Sequence, residues 1–404
     1  MRLLPASATP DARRILMARA LRALGDGWVS ILLPVYLLEL GFDAMQVGIL
    51  ASATLLGSAG MTIAVGFLPL PWGRRSLLVA SGFLMAATGF AFANLETFVP
   101  LLLVAMIGTL NPSSGDVSVF QPLEHALLPD AVADKDRTAL FARYAFVGSA
   151  LGALGTLAAG APDWLAEYGG FGRIGAIQAM FALYGAIGLA QCAIHRALII
   201  GAAVPAGTPR ARLGPSRGIV VRLAMLFSID AFGGGLVVQS LVAFWLYDRF
   251  QLSLTATATI FFWANLASAI SFLAAAPLAR RIGLINTMVL THLPANLCLA
   301  GMAFFDDLDI VLALLLVRSL LSQMDVPTRS SYVVAVVTPG ERAAAASLTA
   351  VPRSLAAALG PMLGGALLQV SPFGWFLLLA GALKAGYDLA LFAMFRAVKP
   401  PEER

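Results

Sequence analysis

Acids and cations set inside long apolar runs are the residues of this sequence most able to do chemistry. Asp26 stands in Gly25-Asp26-Gly27, and Asp230 shortly precedes Gly233-Gly234-Gly235. Arg318, Arg353 and Lys384 are the embedded cations, and Gln239, Asn265, Asn296 and Gln323 are neutral polar groups in similar runs. A charge at the centre of a membrane helix costs roughly 2.5–3.5 kcal/mol on insertion scales, so it faces the protein interior and has a partner or a task. A carboxylate there carries protons or touches a solute. A guanidinium grips a carboxylate or phosphate in two places. Asp26 and Asp230, at similar depth in their segments, are read as proton-coupling or solute-binding groups. Arg318, Arg353, Gln239 and Asn265 are further candidates for binding. The plainer alternatives are ion pairs: Asp26 with Arg22 one turn away, and Lys384 with Asp388 four residues on.

A second set reads as gating. Asp116 and Asp325 interrupt their apolar segments, with Asn111-Pro112 and Pro327 close by. Arg143, Arg329 and Arg353 are their expected salt-bridge partners. His125, next to Glu124, is a proton-relay candidate or an interfacial loop residue.

Other chemistries have no residues to carry them. No phosphate-binding loop, nucleophile elbow, histidine cluster or paired metal carboxylates occur, so an enzyme is not expected. Cys192 and Cys298 are isolated in apolar runs, and His125, His195 and His292 are scattered. No metal or other cofactor is expected. Of the 404 residues, 59% are hydrophobic and 12% charged, and the mean hydropathy is +0.84. A soluble domain carries about 25% charged residues. The net charge of +5 is spread in short clusters, which read as topology signals rather than a nucleic-acid surface.

The elements that must position these groups are membrane helices of about 20 residues each. About twelve segments fit that length, near 14–40, 45–68, 76–93, 98–121, 138–161, 173–194, 219–246, 254–278, 285–305, 309–334, 343–370 and 373–396. The first is too long for a signal peptide and lacks a cleavage site. With the N-terminus inside, the inner loops hold Arg13, Arg14, Arg74, Arg75, Lys135, Arg196, Arg210, Arg280, Arg281 and Lys399, and the outer side only Arg173 and Arg249. That asymmetry puts both termini in the cytoplasm. The Pro- and Gly-rich stretch 195–218 reads as a linker between halves 1–194 and 219–404.

The halves resemble each other. Gly66 to Arg75 matches Ala276 to Ile285, Asp116-Val117 matches Asp325-Val326, and Ala153-Leu154-Gly155 matches Ala358-Leu359-Gly360. Ordered matches at nearly one offset indicate duplication. On these residues the chain resembles the major facilitator superfamily of secondary transporters over essentially its whole length. The family's loop motif after helix two is matched by Gly66, Leu68, Gly73, Arg74 and Arg75, with Leu70 in place of the acid. Gly360-Pro361 and Gly364-Gly365 complete a string seen in its drug exporters, but in helix eleven rather than five. Thr109 stands where the family's helix-four arginine is usual.

The resemblance implies an all-α membrane protein with two pseudo-symmetric six-helix bundles and a loop latch formed around Gly66, Gly73, Arg74 and Arg75. It implies a monomer in an inner (plasma) membrane that moves a small solute by alternating access, with proton coupling and export of drugs or metabolites as the expected mode. The alternatives are a facilitator, an importer of an organic anion, or a non-transporting receptor or assembly factor. The expected partners are a small-molecule substrate, protons and the lipid bilayer.

Overall fold

The structure is a computed structural model, and it describes residues 4, 7–67, 72–113, 118–133, 137–170, 172–199, 214–338 and 341–398. The described residues form helices and short connections, without strands. In chain order the helices are α1 (Pro10–Glu39), α2 (Ala44–Phe67), α3 (Arg74–Asn94), α4 (Phe98–Ile107), α5 (Phe120–His125), α6 (Arg137–Ala158), α7 (Ala161–Tyr168) and α8 (Arg173–Arg196) in the first half. The second half holds α9 (Arg217–Leu236), α10 (Gln239–Arg249), α11 (Leu254–Ile282), α12 (Leu284–Gly301), α13 (Leu308–Ser322), α14 (Asp325–Ala335), α15 (Arg342–Val370) and α16 (Trp375–Phe395).

Among the described residues, 11 spans are long and apolar enough to cross a bilayer. The expected fourth span is not one continuous helix. α4 stops at Ile107, extended backbone begins at Gly108, and helix resumes only at Phe120. Asn111-Pro112 accounts for the break, because a residue before proline is pushed out of the helical region. The seventh and tenth spans are interrupted too, at Val237-Val238 and at Gln323-Met324.

The helices pack in two matching sets. α1 lies against α6 and α8, as α9 lies against α15 and α16. α3 pairs with α8 as α12 pairs with α16, and α2 with α4 as α11 with α13. In each set a glycine crossing fixes the first helix against a neighbour. A Cβ on Gly27 would stand 2.8 Å from Gly155 Cα, and one on Gly235 would stand 3.0 Å from Gly360 Cα. Any side chain there would push α1 off α6, or α9 off α15. Outward faces carry exposed Phe83, Phe90, Leu103, Trp263, Leu273 and Leu297, a surface suited to lipid rather than water.

Of the expected linker 195–218, residues 200–213 lie outside the described residues. Its far end is pinned to the second half. The Glu341 carboxylate accepts bonds from the backbone of Gly214 and Ser216, the Ser216 hydroxyl (2.7 Å) and the Thr338 hydroxyl (2.6 Å). These donors hold its pKa down at about 2. A carboxyl lowered on folding stabilises above its ordinary value and stops doing so as pH falls through its folded value. The melting temperature of wild type should therefore exceed that of Glu341→Gln at neutral pH. The gap should close as pH falls from about 4.5 toward 2. A constant gap over that window would contradict the clamp.

Candidate functional site

The glycine crossings set the register of the two halves. Arg22 lies five residues before Gly27, and Asp230 five before Gly235. Asp230 is therefore the structural counterpart of Arg22. Asp26 corresponds to Gly234, so the two acids expected at one depth stand one turn apart.

Arg22 and Asp230 are hubs of opposite sign. In the first half Arg22 is 1% exposed and Glu124, on α5, is fully buried. The two terminal nitrogens of Arg22 donate to the two Glu124 oxygens at 2.9 and 2.8 Å. The Tyr144 hydroxyl donates to Glu124 Oε2 at 2.5 Å, His195 Nε2 lies 3.4 Å from Oε1, and the guanidinium stacks 4.6 Å from the Phe120 ring. Bidentate, charge-assisted bonds of this kind are the strong ones.

In the second half Asp230 is 3% exposed. Lys384 Nζ of α16 donates to its Oδ1 at 2.5 Å, and Arg329 Nη1 of α14 to its Oδ2 at 2.9 Å. Arg329 also lies 3.4 Å from Asp325, one turn back. On α12, His292 Nδ1 is 2.9 Å from Asp388 Oδ1, while Nε2 is 3.8 Å from Asp230 Oδ1. Asn296 Nδ2 donates to Asp388 Oδ2 at 2.8 Å. Four helices thus bring three acids, two cations, a histidine and an amide into one buried cluster. Arg353, half-buried on α15, stands close enough to feel Asp230, Asp325 and Arg329, and its Nε is buried without a partner among the described residues.

The other candidates are placed as follows. Asp26 is buried, with the Tyr184 hydroxyl 3.4 Å from its Oδ1 and 2.9 Å from the Thr109 carbonyl oxygen. Asp325 meets Arg329, as the gating expectation has it, but Arg329 is shared with Asp230. Arg143 on α6 has a buried Nη1 without a hydrogen-bond partner among the described residues. Asn265 is half-buried on α11, and Arg318 lies on α13 beside Cys298 of α12. Gly73 precedes α3 in extended backbone, and Arg74 and Arg75 open that helix; Gly66 falls in the last turn of α2. Asp116, Leu68 and Leu70 lie outside the described residues. The Lys384–Asp388 pair expected within one helix does not form: Lys384 turns to Asp230, and Asp388 to His292 and Asn296. His125 packs its ring edge-on to Phe141 and Tyr144.

Sequence reasoning did not single out Glu124, His195, His292 or Asp388 as members of a site. The available signal was the same that found Asp230, a titratable residue in an apolar run.

Among the described residues, polar contacts between the halves gather at one end. Ser52 Oγ of α2 accepts from Met362 of α15 (2.8 Å), and Gly48 abuts Gly365. Asp163 accepts from Thr255 (2.9 Å), Arg173 donates to Tyr247 (2.7 Å), and Gln369 to Asp43 (3.1 Å). Gln239 Nε2 donates to Ser30 Oγ (2.8 Å), and the Ser240 amide to the Pro112 carbonyl (3.1 Å). Gln239, expected in a binding cavity, thus bridges the halves. Both charge clusters lie deeper, Asp230 being nine residues before Gln239 along the chain.

A family model for the Major Facilitator Superfamily matches residues 15–324. The chain belongs to the major facilitator superfamily. It is similar to the uncharacterized membrane protein YJR124C of Saccharomyces cerevisiae, at 23% identity, covering 97% of this chain and 95% of that protein. Among solved structures, a mutant of the nucleoside transporter NupG superposes with TM-score 0.74 at 15% identity, covering 95% of this chain and 100% of that one. The inward-open xylose transporter XylE from E. coli does so with TM-score 0.74 at 12% identity, over 95% and 96%. At such identities the likeness is one of fold. Superfamily membership and fold make this a multi-pass membrane transporter rather than an enzyme.

Proposed function

We propose that the protein is a secondary active transporter that couples proton movement to a small solute, its halves 1–194 and 219–404 rocking about the solute. The observation that carries this reading is Asp230, buried between Lys384 and Arg329 beside a histidine that faces it. Ionisable residues buried inside a membrane protein are rare and mark proton or solute pathways. The joined ends of the halves carry the acidic loops, which the Lys/Arg distribution assigns to the outside. The arrangement is accordingly read as closed outward, with both termini cytoplasmic in an inner membrane.

The cluster also bears on the solute. Asp230 is occupied by Lys384 and Arg329 and is not open to a cationic drug. Arg353 stands beside it with an unused donor. A solute with an anionic group fits this set better than a cationic one.

Proteoliposomes holding a pH-sensitive dye, challenged with anionic, zwitterionic, neutral and cationic solutes, test both statements. An anionic solute should move protons with it. Solute flux without proton movement would make the protein a facilitator, and proton release driven by a cationic solute would reverse the class.

A further inference from the structure

We propose that His292 is the residue that takes up the coupling proton, and that it acts by displacing Lys384 from a single oxygen of Asp230. The inference rests on the proton-coupled reading above and adds the group and the device.

His292 sits on α12 between two carboxylates. With Asp388 ionised, its Oδ1 only accepts, so the 2.9 Å contact takes the ring proton of the neutral imidazole on Nδ1, and Asn296 Nδ2, 3.1 Å from the same nitrogen, gives its proton to Asp388 Oδ2 instead. Nε2 then presents a lone pair toward Asp230 Oδ1, 3.8 Å away. Two negative ends face each other across that gap. A proton arriving at Nε2 forms an N–H bond, turns repulsion into attraction and requires no other reactant. Asn296 holds the second oxygen of Asp388, which fixes the imidazole's orientation. A bonded carboxylate behind a histidine is the usual way to set its tautomer.

The consequence lies in the choice of oxygen. Asp230 Oδ1 is the atom that Lys384 Nζ already holds at 2.5 Å, whereas Arg329 uses Oδ2. A charged His292 therefore brings a second cation against Lys384 at one oxygen, and the two repel, while Arg329 keeps the other oxygen. Proton uptake loosens Lys384 and links proton occupancy to the contact between α9 and α16.

The surrounding charges are accounted for. α16 supplies Lys384, Asp388 and Tyr387, whose ring lies edge-on 6.0 Å from the imidazole. α9 supplies Asp230, and α14 supplies Arg329 and Asp325. Arg353 of α15 acts on Asp230. α13 brings Arg318 beside Cys298, six residues along α12, and α11 brings Arg280 and Arg281 at the distant Gly283 turn. Lys384, Arg329 and Arg353 balance Asp230, Asp325 and Asp388, so the added proton leaves the cluster one positive charge in excess.

The experiment needs no solute. Proteoliposomes adsorbed on a solid-supported membrane are stepped from pH about 8 to about 6, across the range in which histidines change charge, and the displaced charge is recorded. Wild type should give a displacement that falls at least tenfold in His292→Gln. It should also fall at least threefold in Asp388→Asn, which serves if His292→Gln fails to fold. A full displacement in folded His292→Gln, with the loss appearing instead in Asp26→Asn, would overturn the assignment while leaving proton coupling in place. No displacement in wild type would overturn proton coupling itself.

Discussion

Glu124→Gln is expected to destabilise the protein by about 3–5 kcal/mol, the range for breaking a buried ion pair from one side. The substitution keeps the shape of the side chain and removes its charge. Arg22 has almost no water contact, so its lost counter-ion is not replaced by solvent. Tyr144 and His195, which also lean on the carboxylate, lose an anionic acceptor at the same time. Melting in detergent, followed by tryptophan fluorescence, reads the loss. The double variant Arg22→Met with Glu124→Leu should recover most of it, because apolar replacement of a whole buried pair is near neutral. Equal loss in single and double variants would show that packing, not charge, dominates at α5.

Asp230→Asn should have the larger functional effect. It leaves Lys384 and Arg329 against a neutral amide, a loss again of about 3–5 kcal/mol. It also removes the acceptor through which a proton on one helix acts on another. Adding Lys384→Met should return most of the stability, since one unbalanced cation is gone. It should not return proton coupling. That separation matters, because a merely structural Asp230 would regain stability and activity together.

Much of the architecture was legible in the sequence because a bilayer enforces it. Apolar segments of fixed length and the Lys/Arg asymmetry follow from solvation, and the matched glycines at 155 and 360 mark real helix crossings. The broken fourth span was foreshadowed by Asn111-Pro112. The site was legible only in part. Asp230, Asp325, Arg329 and Arg353 stand out because charge in an apolar run is rare. Their pairing does not, because i,i+4 spacing favours a local partner such as Asp388 for Lys384, and helix packing decides otherwise. Asp26 and Asp230 look equivalent by distance from segment starts. The Gly27 and Gly235 crossings show that Arg22 is the true counterpart of Asp230, so the duplicated ion pair has opposite polarity in its two copies. Glu124 is easily passed over because it sits after a helix break, where a loop residue is the natural reading.

The most direct test of proton coupling through the Asp230 cluster compares two fluxes of the solute that proves active in the panel. One is uptake driven by a pH gradient. The other is solute-for-solute counterflow, which needs alternating access but no net proton movement. In Asp230→Asn with Lys384→Met, counterflow should remain within a few-fold of wild type while gradient-driven uptake falls to background. Gradient-driven uptake that survives alongside counterflow would contradict the role assigned to Asp230.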